Sequence, residues 1–317
     1  MSNTHEFRNF HLLKKCPPDI DPDEWNLMIS EIDQANLFNI SDHPVQIDIE
    51  LNSGCNMKCP FCLHGYETIK NKNMGIDTYY KIIDEAVSIG VKSLKLNYIN
   101  EPMLRKDLED CIKYAKNKGI LNIYMATNGT LLNKKRRKSI IESGITKIFI
   151  SIDAASSAIY DAQRLDGRYQ QVIGNITSLI EERNSQGLEF PIVRVNFLKT
   201  AINIHEVEAF EKFWIDKADI IAFQKMDEVP DMHTGLTLEN EKDEEGCQFP
   251  FKQLVVETNG DILPCCKMSG KKLKIGNIDK ISLQEAWNSN QMKELHQIHS
   301  SDEWKDHKIC SDCIMGK

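Results

Sequence analysis

The sequence predicts an α/β protein: a partial (β/α)6 barrel of the TIM type, followed by a small α+β domain toward the C-terminus. Three observations carry this expectation. Between residues 44 and 227, six strand-like segments alternate with helix-like ones, the pattern of a parallel sheet covered by helices. The unusual polar motifs of that region each follow or end a predicted strand. Beyond an acidic stretch, a hairpin signal and spaced cysteines mark a second, smaller unit.

The elements follow in order. Residues 45–51 alternate apolar and polar side chains, as a strand does, and a cysteine-bearing loop comes next. Residues 78–89 have helical periodicity, with Asp77 as the expected N-cap. A strand at 91–98 leads to a helix at Leu108–Lys118, with Gly119 as its C-cap. Strands at 120–126 and 145–152 bracket a helix at 134–143, and a long amphipathic helix covers 169–186. A strand at 191–198, a helix at 205–214 and a strand at 220–224 complete the set. Right-handed crossovers curl such a sheet into a barrel or partial barrel, whose ligand sits at the C-terminal ends of the strands. The cysteine loop, Asn100-Glu101-Pro102, Thr127-Asn128-Gly129 and Ser151-Ile152-Asp153 fall at the ends of the first four strands, on that one rim.

The flanks read differently. Residues 1–43 are mixed and polar, broken by Pro17-Pro18 and Asp21-Pro22, with a short helix near 24–34 and no core of their own. They are expected to be an extension or cap. Residues 228–246 form a linker, and the charge run from Glu239 to Glu245 reads as solvated. In residues 247–317, segments 253–258 and 261–263 flank Asn259-Gly260, a strong hairpin signal. A helix is expected at 282–298, before Cys310-x-x-Cys313.

Composition narrows the function. An apolar content of 41% and a charged content of 27% suit a soluble enzyme. A net charge of −8 argues against nucleic acid as a partner. The basic run Lys134-Lys135-Arg136-Arg137-Lys138 reads as an exposed helix face. No apolar run reaches the roughly 18 residues of a membrane span, and the polar N-terminus is no secretory signal, so a cytoplasmic location is expected. There, ten cysteines read as metal or redox ligands before disulfides. Seven fall into groups: Cys55, Cys59 and Cys62; Cys247 and Cys265; Cys310 and Cys313. Cys16, Cys111 and Cys266 are left over, the first two as small hydrophobic fillers.

In Cys55-Asn56-Met57-Lys58-Cys59-Pro60-Phe61-Cys62, three thiolates can converge on one [4Fe–4S] cube and leave its fourth iron open. A three-cysteine zinc site is the competing reading. The motif resembles the radical S-adenosylmethionine (SAM) superfamily. The resemblance implies that the open iron chelates SAM, that the reduced cluster cleaves it, and that the resulting 5′-deoxyadenosyl radical abstracts hydrogen from a substrate. It also implies SAM contacts. Phe61 matches an aromatic near the adenine. In Ile99-Asn100-Glu101-Pro102 the family's Gly-Gly-Glu-Pro stretch keeps Glu101 and Pro102 but loses both glycines; Asn100 tolerates the turn better than most residues. Asn128, Ser151 and Asp153 match polar positions near the ribose and methionyl parts. Arg164 matches a partner of the SAM carboxylate, and Asn196 is a further candidate.

The second constellation is Cys247, Cys265, Cys310 and Cys313. Four thiolates can ligate either a [4Fe–4S] cluster or a zinc ion. The set resembles the SPASM and shorter twitch domains of radical SAM enzymes, including the dehydrogenases that oxidise 2-deoxy-scyllo-inosamine. Together the resemblances cover residues 45–313. The further cysteines of a full SPASM pattern are absent, which implies one auxiliary cluster, hence two clusters in all. Cys265 and Cys266 compete for one ligand place; Cys265 is favoured, and Cys266 then points the opposite way along an extended backbone. His296, His299 and His307 are expected to be solvated or capping.

The activity so implied is oxidation of a small molecule such as a sugar or aminocyclitol, with the auxiliary cluster accepting an electron and flavodoxin or ferredoxin supplying reductant. Asp227, Glu228, Asp231 and His233 are candidates for the base that removes a proton. Two other readings stand beside it. One is a maturase that crosslinks or epimerises a ribosomally made peptide, although 43 leading residues are too few for a complete winged-helix domain. The other is a non-catalytic zinc-binding scaffold.

Overall fold

A computed structural model describes residues 5–165, 168–226, 235–238 and 246–315. Its strands are β1 (His5–Arg8), β2 (Gln46–Ile49), β3 (Ser93–Lys95), β4 (Asn122–Thr127), β5 (Lys147–Ser151), β6 (Ile192–Lys199), β7 (Ile220–Lys225), β8 (Gln253–Val256), β9 (Asp261–Leu263) and β10 (Gly276–Asn277). All join one sheet in the order β1-β7-β6-β5-β4-β3-β2-β8-β9-β10. From β2 to β7 every pairing is parallel, which makes the predicted six-stranded partial barrel. The hairpin at Asn259-Gly260 is present, with β8 antiparallel to β9. Its first strand also lies parallel to β2, so the barrel sheet continues into the C-terminal region.

The helices are α1 (Pro22–Ala35), α2 (Leu63–Tyr66), α3 (Ile76–Ser88), α4 (Leu108–Lys118), α5 (Lys134–Ile141), α6 (Ser157–Arg164), α7 (Tyr169–Ser185), α8 (Val207–Trp214), α9 (Phe249–Lys252), α10 (Leu283–Trp287), α11 (Asn290–Ser300) and α12 (Lys308–Met315). The sequence shows why α4 forms. Leu108, Cys111, Ile112 and Ala115 recur at helical spacing and are buried, acids open the helix, and Lys116 and Lys118 close it. Gly119 ends it at φ 104°, where a side chain would be strained.

Strand alternation sorts the core. Ile47, Ile49, Leu94, Ile123, Met125, Ile148, Ile150, Val193 and Val195 face the helices and are buried. The alternate positions face the barrel interior and are mostly polar: Gln46, Asp48, Ser93, Lys95, Asn122, Tyr124, Lys147, Arg194 and Asn196. At the base of the interior, the Tyr124 hydroxyl donates to Gln46 Oε1 at 2.9 Å and Asn122 Nδ2 donates to Ser93 Oγ at 2.9 Å. Helix α1 lies beneath this floor. Trp25 is fully buried against Met28 and Leu121, its Nε1–H donates to the Lys14 carbonyl at 2.8 Å, and the Lys147 ammonium sits 4.9 Å from its ring centre.

Several local expectations are corrected. Gly75, not Asp77, caps α3, and Asp77 lies in its first turn. The helix expected at 282–298 is two, because Ser282 and Ser289 each cap a new start. Strand β1 and helix α6 were not foreseen. The basic run is not wholly exposed: Arg137 is buried and pairs with Glu182 at 2.6 Å, and Arg136 pairs with Glu109 at 2.9 Å. His296 and His299 are buried rather than solvated, and the capping alternative holds for His299, which accepts from the Cys247 N–H.

Candidate functional site

The cysteine loop leaves β2 and is tied to the neighbouring rim by asparagines. Asn52 Nδ2 donates to the carbonyls of Gly54 and Glu101, both at 3.2 Å, and the Glu101 N–H donates to the Gly54 carbonyl at 2.9 Å. Asn56 joins the loop to the end of β4, accepting from Asn128 Nδ2 at 2.8 Å and donating to Thr130 Oγ1 at 2.8 Å. Within the loop the Cys62 N–H donates to the Cys59 carbonyl at 3.1 Å, and Cys62 opens α2. Gly65 on that helix is required: a Cβ there would stand 2.3 Å from the Cys59 carbonyl oxygen.

The sequence-derived SAM contacts separate into two groups. Glu101, Asn100 and Asn128 are buried and already engaged. Glu101 accepts from the Thr127 hydroxyl at 2.7 Å, the Asn128 N–H at 2.8 Å and the Met103 N–H at 3.1 Å. Burial nevertheless pushes its pKa up against those donors. Asn100 accepts from the Tyr98 N–H at 2.9 Å and donates to Asn52 at 3.0 Å. These three side chains shape the rim. Asn196, on β6, accepts from Arg194 Nε at 2.6 Å. Ser151 is half-buried at the top of β5.

Arg164, Asp153, Phe61 and Cys59 form the second group. Helix α6 ends at Arg164, which is buried. Its Nη2 donates to Asp153 Oδ2, its Nη1 lies 3.6 Å from Cys59 Sγ, and its guanidinium stands 5.4 Å from the Phe61 ring centre. Asp153 adopts φ 62° and is held from three sides: by Arg164, by the Leu198 N–H, which donates to its Oδ1 at 2.7 Å, and by Asn203 Nδ2, which donates to its carbonyl at 2.9 Å. Burial pulls the Arg164 pKa down, but the Asp153 carboxylate and Cys59 outweigh it, so the guanidinium stays charged. Its Nε is buried without a hydrogen-bond partner. A free charged donor beside a cysteine sulfur fits an anionic group at this spot.

The second cysteine set meets in space. Cys247, Cys265, Cys310 and Cys313 line one largely apolar hollow of about 360 Å3 including its mouth, together with Pro264, Leu295 and His299. Cys266 does not line it; its side chain packs with Tyr98, Val255 and Leu263 on the barrel side. His299 is a cap, accepting from the Cys247 N–H at Nδ1 (3.1 Å), and His307 Nδ1 accepts from the Cys310 N–H at 3.3 Å. Burial pushes the thiols of Cys55, Cys247 and Cys310 up to about 12. Buried thiols this weakly acidic ionise when a metal takes the proton's place. Among the described residues no three His, Cys, Asp or Glu side chains close to the spacing of a single metal ion. Tetrahedral zinc draws thiolates to about 2.3 Å from one point. A four-iron cube takes one thiolate on each of its four irons.

Comparisons with known proteins cover both regions. Residues 49–188 match the family model of the radical SAM superfamily, and residues 247–314 match that of the SPASM iron–sulfur cluster-binding domain. The chain is a radical SAM protein with a SPASM domain. It is 29% identical over 162 residues to a probable GTP 3′,8-cyclase of Methanococcus maripaludis, a match covering 51% of this chain and 52% of that protein. The chain thus spans about half the length of the curated relatives it first matches. The radical SAM–SPASM fold is shared with BtrN, solved with AdoMet and 2-DOIA, at TM-score 0.58 and 18% identity over 85% of this chain and 92% of that one. It is shared also with SuiB of Streptococcus suis bound to S-adenosylmethionine, at TM-score 0.62 and 15% identity over 87% of this chain and 72% of that one. The two family models imply SAM binding by the first region and iron–sulfur cluster binding by both. No helix among the described residues is long and apolar enough to cross a membrane.

Asn52 and Thr130 are rim residues that sequence reasoning passed over. Nothing in an isolated loop asparagine or threonine distinguishes a rim tie from an ordinary turn residue. The base candidates Asp227, Glu228, Asp231 and His233 lie outside the described residues.

Proposed function

We propose that this radical SAM–SPASM enzyme carries two [4Fe–4S] clusters and oxidises a small hydroxyl-bearing molecule such as a sugar or aminocyclitol. Cys55, Cys59 and Cys62 would hold the first, and Cys247, Cys265, Cys310 and Cys313 the second. The observation that carries the reading is the hollow lined by all four C-terminal thiols. Four protein ligands leave no iron free for substrate, which favours electron transfer over substrate ligation. BtrN, solved with AdoMet and 2-DOIA, shows that this fold can seat a small molecule together with AdoMet. In this reading residues 44–227 are the catalytic barrel, 228–246 a linker, 247–317 the auxiliary domain and 1–43 a cap.

Cys55, Cys59 and Cys62 would hold the cluster that binds SAM, and the bound SAM would supply the radical chemistry that takes hydrogen from the substrate. This chain's own residues then have separable tasks. Arg164, fixed by Asp153, offers charge beside Cys59, where it would hold an anionic group such as the SAM carboxylate. Phe61 walls the same spot. The asparagine ties hold the cysteine loop against the rim. To complete a two-electron oxidation, a base on the rim would take a proton, and Cys247, Cys265, Cys310 and Cys313 would hold a cluster able to accept one electron. A cytoplasmic setting with flavodoxin or ferredoxin as reductant completes the proposal.

Anaerobic reconstitution is the first test. The wild type should bind about eight irons and form 5′-deoxyadenosine from SAM with a strong reductant, and replacing Cys55, Cys59 and Cys62 by Ala should leave about half the iron and no cleavage. Full iron loading in that variant would remove the first assignment. In Cys310→Ala and Cys313→Ala, SAM cleavage should persist in part while the ratio of product to 5′-deoxyadenosine falls. An unchanged ratio at normal turnover would reduce the second cluster to scaffolding. Turnover of a precursor peptide, with none of any sugar or aminocyclitol, would replace the small-molecule reading by a peptide one.

A further inference from the structure

The connection that follows β6 reverses the usual sorting of side chains. In residues 200–206 the polar Thr200, Asn203 and Glu206, spaced three apart, are buried, while Ala201, Ile204 and His205 are exposed. Burying polar groups is unfavourable unless each finds its partners. These three find them largely on the neighbouring segment, which leaves β5 and runs through α6. Asn203 uses its whole amide. Its Nδ2 donates to the Asp153 carbonyl at 2.9 Å and to the Leu198 carbonyl at 2.7 Å, and its Oδ1 accepts from the Thr200 N–H at 2.7 Å and the Thr200 hydroxyl at 3.1 Å. The Thr200 hydroxyl oxygen also accepts from Nε2 of Gln163, the residue before Arg164. Glu206 holds the start of the same helix. Its carboxylate accepts from the Ala155 N–H at 2.6 Å, the Ser156 N–H at 3.2 Å and the Ser156 hydroxyl. Ser156 is the N-cap of α6, and Arg164 is its last residue.

We propose that Asn203 and Glu206 are positioning residues for Arg164, setting the place and direction of its guanidinium for an anionic group such as the SAM carboxylate. The inference rests on the reading of Arg164 given above and extends it to side chains that act through Asp153 and through α6. At φ 62° Asp153 is in the left-handed region, which disfavours any residue with a Cβ. Asn203 holds the Asp153 carbonyl in that conformation, and the Leu198 N–H takes Oδ1, which leaves Oδ2 for Arg164. Arg164 keeps its buried Nε without a partner, so its surroundings direct it and saturation of its own donors does not. Glu206 fixes where α6 begins, and a carboxylate beside a helix N-terminus is favourable in its own right. A charge-assisted contact weakens steeply with misalignment, so slack in either support reaches the anion that Arg164 holds.

Equilibrium titration of SAM into the anaerobically reconstituted protein tests this, with iron content and denaturant midpoint measured on each sample. Arg164→Ala, Asn203→Ala and the double variant form a cycle with the wild type. Asn203→Ala should raise the Kd for SAM by about tenfold. In the Arg164→Ala background the same change should move the Kd by less than about twofold, because no guanidinium is left to direct. Glu206→Gln keeps the shape of the side chain and loses its charge. It should raise the Kd by about threefold in the wild type and leave that of Arg164→Ala unchanged, and it carries the cycle if Asn203→Ala does not fold. An unchanged Kd in Asn203→Ala and Glu206→Gln would overturn the proposal. So would losses that multiply with that of Arg164→Ala at equal iron content, which is what a purely structural role produces. The reading of Arg164 itself is decided separately: an unchanged Kd in Arg164→Ala alone would remove that reading and the proposal with it.

Discussion

Arg164 shows what a single side chain contributes here. It is buried, paired with Asp153 and set against Cys59, so its removal has two costs. Arg164→Ala strands a buried carboxylate and should destabilise the protein by about 3 kcal/mol, seen as a lower denaturant midpoint at unchanged slope. It should also weaken SAM binding by about 1.5–3 kcal/mol in equilibrium titration. Unchanged stability with weakened SAM binding would mean that Asp153 finds another partner. Lys147 behaves in the opposite sense. Burial alone pulls its pKa down to about 7. The unfolded chain binds this proton more readily between pH 7 and about 10.5, so folding should gain stability as pH rises through that window, and below it the penalty is constant. Lys147→Met should therefore be the more stable protein near pH 7, by about 1–3 kcal/mol, with the gap to wild type closing by pH 10. Denaturant midpoints at three pH values decide this, and a gap independent of pH would refute it.

At the scale of elements, the hairpin at Asn259-Gly260 carries a sharp constraint. Gly260 sits at φ 85°, and a Cβ would stand 3.1 Å from Ile278. Gly260→Ala should cost about 1–2 kcal/mol, read from thermal or denaturant melts, because the added methyl is strained in the folded turn. A neutral substitution would show that the turn relaxes to another geometry. The hairpin was legible because Asn-Gly between apolar runs has few other uses. Long helices such as α4 and α7 were legible from period alone. Helix α6 was not, since the residues it buries, Tyr160, Gln163 and Arg164, are polar in part and mask the apolar stripe. Strand β1 was not, because it is held by backbone pairing to β7, which leaves no pattern in side chains. For the site, the spacing of the cysteines announced the chemistry, and the opposed directions of Cys265 and Cys266 followed from strand alternation. The asparagine ties and the inward cations were hidden, because contact between strands far apart in sequence decides them.

At the scale of the whole molecule, two cysteine sites are joined by one sheet. Loss of any one of Cys247, Cys265, Cys310 or Cys313 to Ala should lower iron content and loosen the residues that line the hollow. Cys266→Ala should keep full iron, because its side chain lies on the other side of the chain. Iron analysis with limited proteolysis separates these outcomes, and iron loss in Cys266→Ala would reassign the ligand. The pairing of β2 with β8 also governs how the chain is made. Gln46 and Gln253 meet across 207 residues of sequence. During synthesis on the ribosome, the outer side of β2 stays an unpaired edge until β8 has emerged. At roughly 5–20 residues per second that exposure lasts about 10–40 seconds, a window in which an open edge invites pairing with another chain. Nascent chains stalled before β8 emerges should therefore recruit chaperones more strongly than those stalled after it.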